Sequence, residues 1–194
     1  AASPEIVAGL MKSCGLAEDG HYAAFILRPW TGFDEKVPVL TAAAEYVYNT
    51  YGLTPVFFAI EPRLDVGAAK KVIAQLTVPH HFLPNAYPAE QTIGLLSHMQ
   101  MSISMRLHGL IFSAGQGVPL VGVVYDPKVS SFLSYIGQDL YVNLSNLTET
   151  SIKTLIDSAF VRGKNPSFLA ESVAKLRAAE GVNSQTAADF LSLS

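Results

Sequence analysis

Cysteine is almost absent from this sequence: Cys14 is the one thiol in 194 residues. A single thiol cannot close an intramolecular disulfide, and such sparing use fits a reducing compartment. Nothing near Cys14 in sequence would activate it, so it reads as a small, half-buried side chain. Charge is scarce as well, at 15% of residues with a net charge of −3. This argues against broad binding to nucleic acid or to a membrane surface, and any anion must be met by a local cluster drawn from the 13 Lys and Arg. No apolar run approaches the roughly 20 residues of a spanning helix. The first residues lack the basic stretch and apolar core of a signal peptide, so the chain is read as soluble and cytoplasmic, with a peripheral place at the inner face of the membrane as a further expectation. Two glycine-rich fingerprints are missing too. The first predicted strand runs into LRPWTG rather than G-x-G-x-x-G, and no G-x-x-x-x-G-K-[ST] loop occurs. Nicotinamide, flavin and P-loop chemistry are thereby disfavoured, and no cofactor is expected. His80, His81 and His98 lack a second ligand at metal spacing, so no metal site is expected either.

What is plentiful is apolar side chain, 49% of the residues, enough for a full core in one domain with an appendage. The apolar pattern alternates between short β-rich runs and longer stretches of helical period. Strands are predicted at Tyr22–Leu27, Pro55–Ile60, Val78–Leu83, Met101–Met105, Pro119–Tyr125 and, weakly, Leu140–Val142. Between them lie helices at Asp34–Tyr51, Asp65–Leu76, Pro88–His98, Leu107–Gln116 and Pro127–Ile136, with Glu149–Phe160 and Phe168–Ala179 closing the chain. Residues 4–20 form a short amphipathic segment ending on Gly15 and Gly20. Such alternation implies parallel strands joined by right-handed crossovers, hence a doubly wound, mostly parallel Rossmann-like α/β sheet of about six strands. The division expected is a connector over 1–21, a Rossmann-like domain over 22–161 and a helical tail over 162–194.

The stretch Met101–Lys128, MSISMRLHGLIFSAGQGVPLVGVVYDPK, carries most of the candidate chemistry. A strand-to-helix step at the carboxyl edge of an open sheet aims helix amides at anions, and Arg106 and His108 sit on that step. Gly109, Ala114 and Gly115 leave room for close backbone packing in the helix that follows. Arg28 stands at the carboxyl end of the first strand, and Lys128 follows the fifth. First and fourth strands flank the switch point of the usual doubly wound order, which would bring Arg28 and Arg106 onto one small dianion. Plainer roles compete with these. Arg28 would serve equally as a strand-end arginine paired with Asp34 or Glu35, His108 as a helix cap, Lys128 as a solvated lysine, and Asp126 as the cap of its helix. Glu90 would complement a helix dipole or face a nucleotide.

Taken together, the LRPW strand end, the S-x-R-L-H step and GVPLVGVVYDPK leading into SSFLSYIG resemble the polysaccharide pyruvyl transferase family, and closely its cell-wall, CsaB-like branch, over about residues 22 to 160. Members of that family resemble glycosyltransferases built from two Rossmann domains. The resemblance therefore implies one half of such a molecule, the carboxyl-terminal, donor-binding half, with a further amino-terminal domain as partner. The implied reaction moves pyruvate from phosphoenolpyruvate onto two hydroxyls of a nucleotide- or lipid-linked sugar as a cyclic ketal. It implies Arg28, Arg106 and Lys128 as donor contacts and His108 as the acid that protonates the donor methylene, because imidazole titrates near neutral pH. The alternative is a glycosyltransferase-like domain that binds a nucleotide-sugar diphosphate at the same edge. A homodimer through an apolar strip at that edge is a further expectation.

Overall fold

A computed structural model describes residues 2–165, together with positions 167, 170, 171, 173, 174 and 178. The tail helix expected over Phe168–Ala179 falls, apart from those isolated positions, outside the described residues. Six parallel strands form one sheet in the order β3-β2-β1-β4-β5-β6. They are β1 (Tyr22–Ile26), β2 (Thr54–Phe58), β3 (His81–Leu83), β4 (Met101–Ser104), β5 (Leu120–Val124) and β6 (Tyr141–Asn143). The helices are α1 (Pro4–Ser13), α2 (Phe33–Tyr51), α3 (Pro62–Ile73), α4 (Ala89–Leu96), α5 (Leu107–Gly115), α6 (Pro127–Tyr135) and α7 (Glu149–Gly163).

The β1 sequence YAAFI is buried at every position because helices cover both sheet faces. Alternation then sorts its side chains. Ala23, Phe25 and Leu27 join Phe57, Met101, Ile103 and Val121 beneath α2, α3 and α7, whereas Tyr22, Ala24 and Ile26 join Val56, Phe58, Leu95 and Leu96 on the opposite face. A third cluster of Leu110, Val124, Val129 and Leu133 seats α5 and α6. Two hydroxyls tie α2 to α7: Tyr46 and Tyr51 both donate to one oxygen of Asp157, at 2.8 and 2.6 Å. Tyr51 also stacks on Phe160, with ring centroids 4.0 Å apart.

The amphipathic segment that opens the chain is α1, and it packs on α4 with Val7 and Met11 buried. The approach is close: a Cβ on Gly94 would lie 2.5 Å from a methyl of Val7. Two elements depart from expectation. β3 is only three residues, starting at His81 rather than Val78. Pro79 lies in the missing part, and proline has no N–H to offer a ladder. After β6 a single 3₁₀ turn, Leu144–Asn146, precedes α7, whose start is fixed by a reciprocal Thr148–Ser151 capping box.

Candidate functional site

The strand order reverses between β1 and β4, the position at which an open α/β sheet leaves a crevice at its carboxyl edge. Register pairs Ile26 with Ser104 across that seam, so Arg28 and Arg106 each stand two residues past it. At the end of β4, the Ser104 hydroxyl accepts the Arg106 N–H at 3.0 Å and donates to the Arg106 carbonyl at 2.9 Å, closing a tight turn into α5. The first-turn amides of Leu107, His108 and Gly109 have no acceptor within the helix and form a natural anion seat. The turn sits hard against the sheet, since a Cβ on Gly109 would come within 2.6 Å of both the Ile26 Cδ1 and the Ser104 Oγ. Glycine there is a condition of the close approach.

Arg28 does not make the ordinary strand-end ion pair. Asp34 is taken by Lys71 at 2.6 Å, and no carboxylate among the described residues pairs with Arg28. Its guanidinium instead packs 5.4 Å from the Trp30 ring centroid and 5.1 Å from that of Tyr125, and donates to the Tyr125 hydroxyl at 2.7 Å. The two rings lie against each other at 4.5 Å. Its Nε is buried without a hydrogen-bond partner. A cation held by ring faces and one phenol keeps its full charge and has donor capacity to spare.

Arg106 presents the opposite case. Its Nε and one terminal nitrogen donate to a single oxygen of Asp65 at 3.0 and 2.5 Å, and the other terminal nitrogen reaches Glu61 at 3.1 Å. Asp65 is fully buried, and its second oxygen accepts the Glu61 N–H at 2.9 Å. The arginine therefore fastens the start of α3 to the β4–α5 turn. Its charge is largely met inside the protein, leaving the edge shared with the exposed Glu61 as the part that faces outward.

His108 is exposed in the first turn of α5, where among the described residues the aromatic ring beside it is that of Phe112, with centroids 6.0 Å apart. It does not cap the helix. Arg106 occupies the cap position, and no side chain caps α5. Lys128, exposed in the first turn of α6, approaches Asp126 at 3.5 Å, while Asp126 caps α6 by accepting the Lys128 N–H at 2.9 Å. Glu90 is exposed in the first turn of α4. A cleft of about 300 Å³ lies beside the aromatic pair, walled by Trp30, Tyr125, Asp126, Ser130, Asn143 and Ser145 among others.

The structure thus brings Arg28, Arg106, His108 and Lys128 to one sheet edge, on the loops and first helical turns that follow β1, β4 and β5. Sequence reading passed over the residues that decide how the two arginines behave. Trp30 and Tyr125 were legible as parts of the strand-end motifs. Asp65 was hidden because it opens an amphipathic helix, where an acidic residue needs no other explanation. Among the described residues no cluster of three or more His, Cys, Asp or Glu is arranged to hold a metal ion, and no helix is long and apolar enough to cross a membrane.

A model of the family described as polysaccharide pyruvyl transferase matches residues 6–127, which include β1, β4, β5 and the Arg106–His108 step. The chain belongs to the polysaccharide pyruvyl transferase family. The match begins inside α1 and ends at the first residue of α6. No curated protein sequence matches the chain significantly. Among solved structures, the chain is similar to ADP-heptose lipopolysaccharide heptosyltransferase II of E. coli at a TM-score of 0.63 and 14% identity, with 84% of this chain and 53% of that one covered. It is equally similar to the UDP-GlcNAc 2-epimerase of Methanocaldococcus jannaschii, at 0.63 and 12%, covering 93% and 49%. The trehalose 6-phosphate synthase of Burkholderia multivorans follows at 0.57 and 14%, covering 99% and 47%. At such identities the likeness is one of fold: this pyruvyl transferase family member is a Rossmann-like unit of the kind found in two-domain glycosyltransferases. The chain spans about half the length of the structures it matches.

Proposed function

We propose that this chain is the donor-binding half of a pyruvyl transferase that takes phosphoenolpyruvate and delivers its pyruvyl carbons as a ketal to a sugar of a cell-wall polysaccharide precursor, as in the CsaB-like branch. The observation that carries the reading is Arg28, a cation without a carboxylate partner whose buried Nε lacks an acceptor, at the switch point beside the open amides of α5. Phosphoenolpyruvate has a carboxylate and a phosphate, which fit an arginine and a helix N-terminus respectively. In the reaction His108 gives a proton to the methylene carbon, which becomes the methyl group. One sugar hydroxyl then adds to the neighbouring carbon. A second hydroxyl adds as the C–O bond to phosphate breaks, and of the two hydroxyl protons one replaces that lost by His108 and the other leaves with phosphate. Lys128 adds a contact to the departing phosphate. Arg106 acts through position, holding the turn that aims His108, and through the edge it shares with Glu61.

The competing reading, a nucleotide-sugar site, draws support from the glycosyltransferase-like fold, since arginine and helix amides serve a pyrophosphate equally well. The family match favours the first. Calorimetric competition separates them: phosphoenolpyruvate is expected to bind and to be indifferent to uridine diphosphate. A chain that binds uridine diphosphate and ignores phosphoenolpyruvate refutes the proposal.

A further inference from the structure

The cleft of about 300 Å³ beside Arg28 has a composition of its own. One wall is aromatic: Trp30 is 44% exposed, far more than an indole that serves the core, and it is braced at 4.5 Å by Tyr125. Around it stand Asp126, Ser130, Asn143 and Ser145, which offer carboxylate, hydroxyl and amide groups. Of the residues that line this cleft, Asp126 is the only charged one, and it is negative. Asp126 accepts the Lys128 N–H and is approached by the Lys128 Nζ at 3.5 Å, and the lining itself offers no cation to an anion. A neutral ring that stacks one apolar face and presents hydroxyls at its edge satisfies both kinds of wall at once.

We infer that this cleft is a subsite for a neutral pyranose ring, stacked on Trp30, with its hydroxyls bonded to Asp126, Asn143 and the serines. The carboxylate accepts from hydroxyls, and the amide of Asn143 both donates and accepts, so neighbouring hydroxyls are recognised in pairs. Trp30 and Tyr125 are also the two rings that flank the Arg28 guanidinium, so a ring in the cleft lies next to the cation that takes the donor. That the ring is the acceptor of the pyruvyl group rests on the function proposed above. That a sugar binds here does not.

Trp30 is the one tryptophan in the chain, so selectively excited tryptophan emission reports on this ring and its immediate surroundings. The probes are methyl β-D-mannopyranoside, methyl β-D-galactopyranoside and methyl N-acetyl-β-D-glucosaminide, with uridine for comparison. At least one glycoside is expected to change the emission saturably, with a millimolar dissociation constant. Asn143→Ala, with Ser145→Ala as a second variant, is expected to weaken that binding by up to about tenfold through loss of a hydrogen bond to the ring hydroxyls. Trp30→Ala, followed by saturation-transfer NMR on the glycoside, is expected to abolish it. No saturable response to any of the glycosides, a response that none of the three variants weakens, or saturation by uridine in place of the sugars would each overturn the assignment. Phosphoenolpyruvate is titrated in parallel by calorimetry. Donor binding without sugar binding removes the subsite and leaves the proposed function standing, while sugar binding without donor binding does the reverse.

Discussion

At the residue scale, the two arginines of the sheet edge look alike in sequence and are opposite in structure. Arg106 is bound to a fully buried carboxylate, whereas Arg28 rests on ring faces with a donor to spare. Their substitutions should differ accordingly. Asp65→Ala leaves the Arg106 charge in a site that is 9% exposed, and removing one partner of such a pair costs about 3–5 kcal/mol. Urea unfolding should register that loss, while Glu61→Ala, on a half-exposed partner, should cost less than about 1 kcal/mol. Equal costs would mean that the pair is not the structural tie described. His108 makes no hydrogen bond among the described residues, so His108→Ala should leave stability and donor affinity nearly unchanged. With a sugar acceptor present it should lower phosphate release by about 10²-fold or more, as expected for loss of a general acid. Turnover at the original rate would remove His108 from the chemistry. The sequence pointed to all four candidate side chains, because each stands where a strand ends. It could not tell a satisfied arginine from an unsatisfied one, since the carboxylates that satisfy Arg106 lie 41 and 45 positions away and pairing across the fold leaves no local pattern.

At the scale of elements, periodicity located every strand and helix of the described residues except α1, whose stretch reads as an amphipathic connector, and the single 3₁₀ turn after β6. The misses have causes in backbone chemistry: Pro79 cut β3 short, and a one-turn element is too short to show a period. The β4–α5 step makes its own test. Gly109→Ala places a methyl within 2.6 Å of Ile26 and Ser104, and Ser104 is fixed by two hydrogen bonds to Arg106. Overpacking of this sort costs about 1–3 kcal/mol, seen as a lower midpoint in denaturant at an unchanged slope. A variant as stable as the parent would show that the turn has slack. β3 supplies a pH dependence. Burial, and next the neighbouring His80, hold the His81 imidazole below its ordinary value of 6.5. The unfolded chain then takes up the proton first, so this contribution to stability is complete above pH 6.5 and is lost as pH falls below it. His81→Phe keeps an aromatic edge toward Tyr22, 5.8 Å away between centroids, and should flatten the decline between about pH 7 and 5. An unaltered pH profile would assign the decline to other groups.

At the scale of the whole molecule, one sheet with helices on both faces forms a continuous core, so cooperative thermal unfolding is expected. A broad, non-cooperative melt would contradict that. Among the described residues, the large exposed apolar side chains Ile6, Trp30, Leu64, Tyr135 and Val161 lie on five separate parts of the fold. Only Trp30 and Leu64 stand at the carboxyl edge of the sheet, and separated residues of this sort are ordinary surface. The carboxyl edge sets a guanidinium with a buried, unbonded Nε, the first-turn amides of α5 and an aromatic wall side by side. The central claim is that Arg28 is the donor's anion clamp. Its most direct test is calorimetric titration of phosphoenolpyruvate into the parent chain and into Arg28→Ala and Arg28→Lys. Loss of a charge-assisted contact should weaken binding by about one to two orders of magnitude in the alanine variant, with incomplete recovery in lysine, which lacks the planar fork. Phosphoenolpyruvate that binds the alanine variant as tightly as the parent would contradict the account.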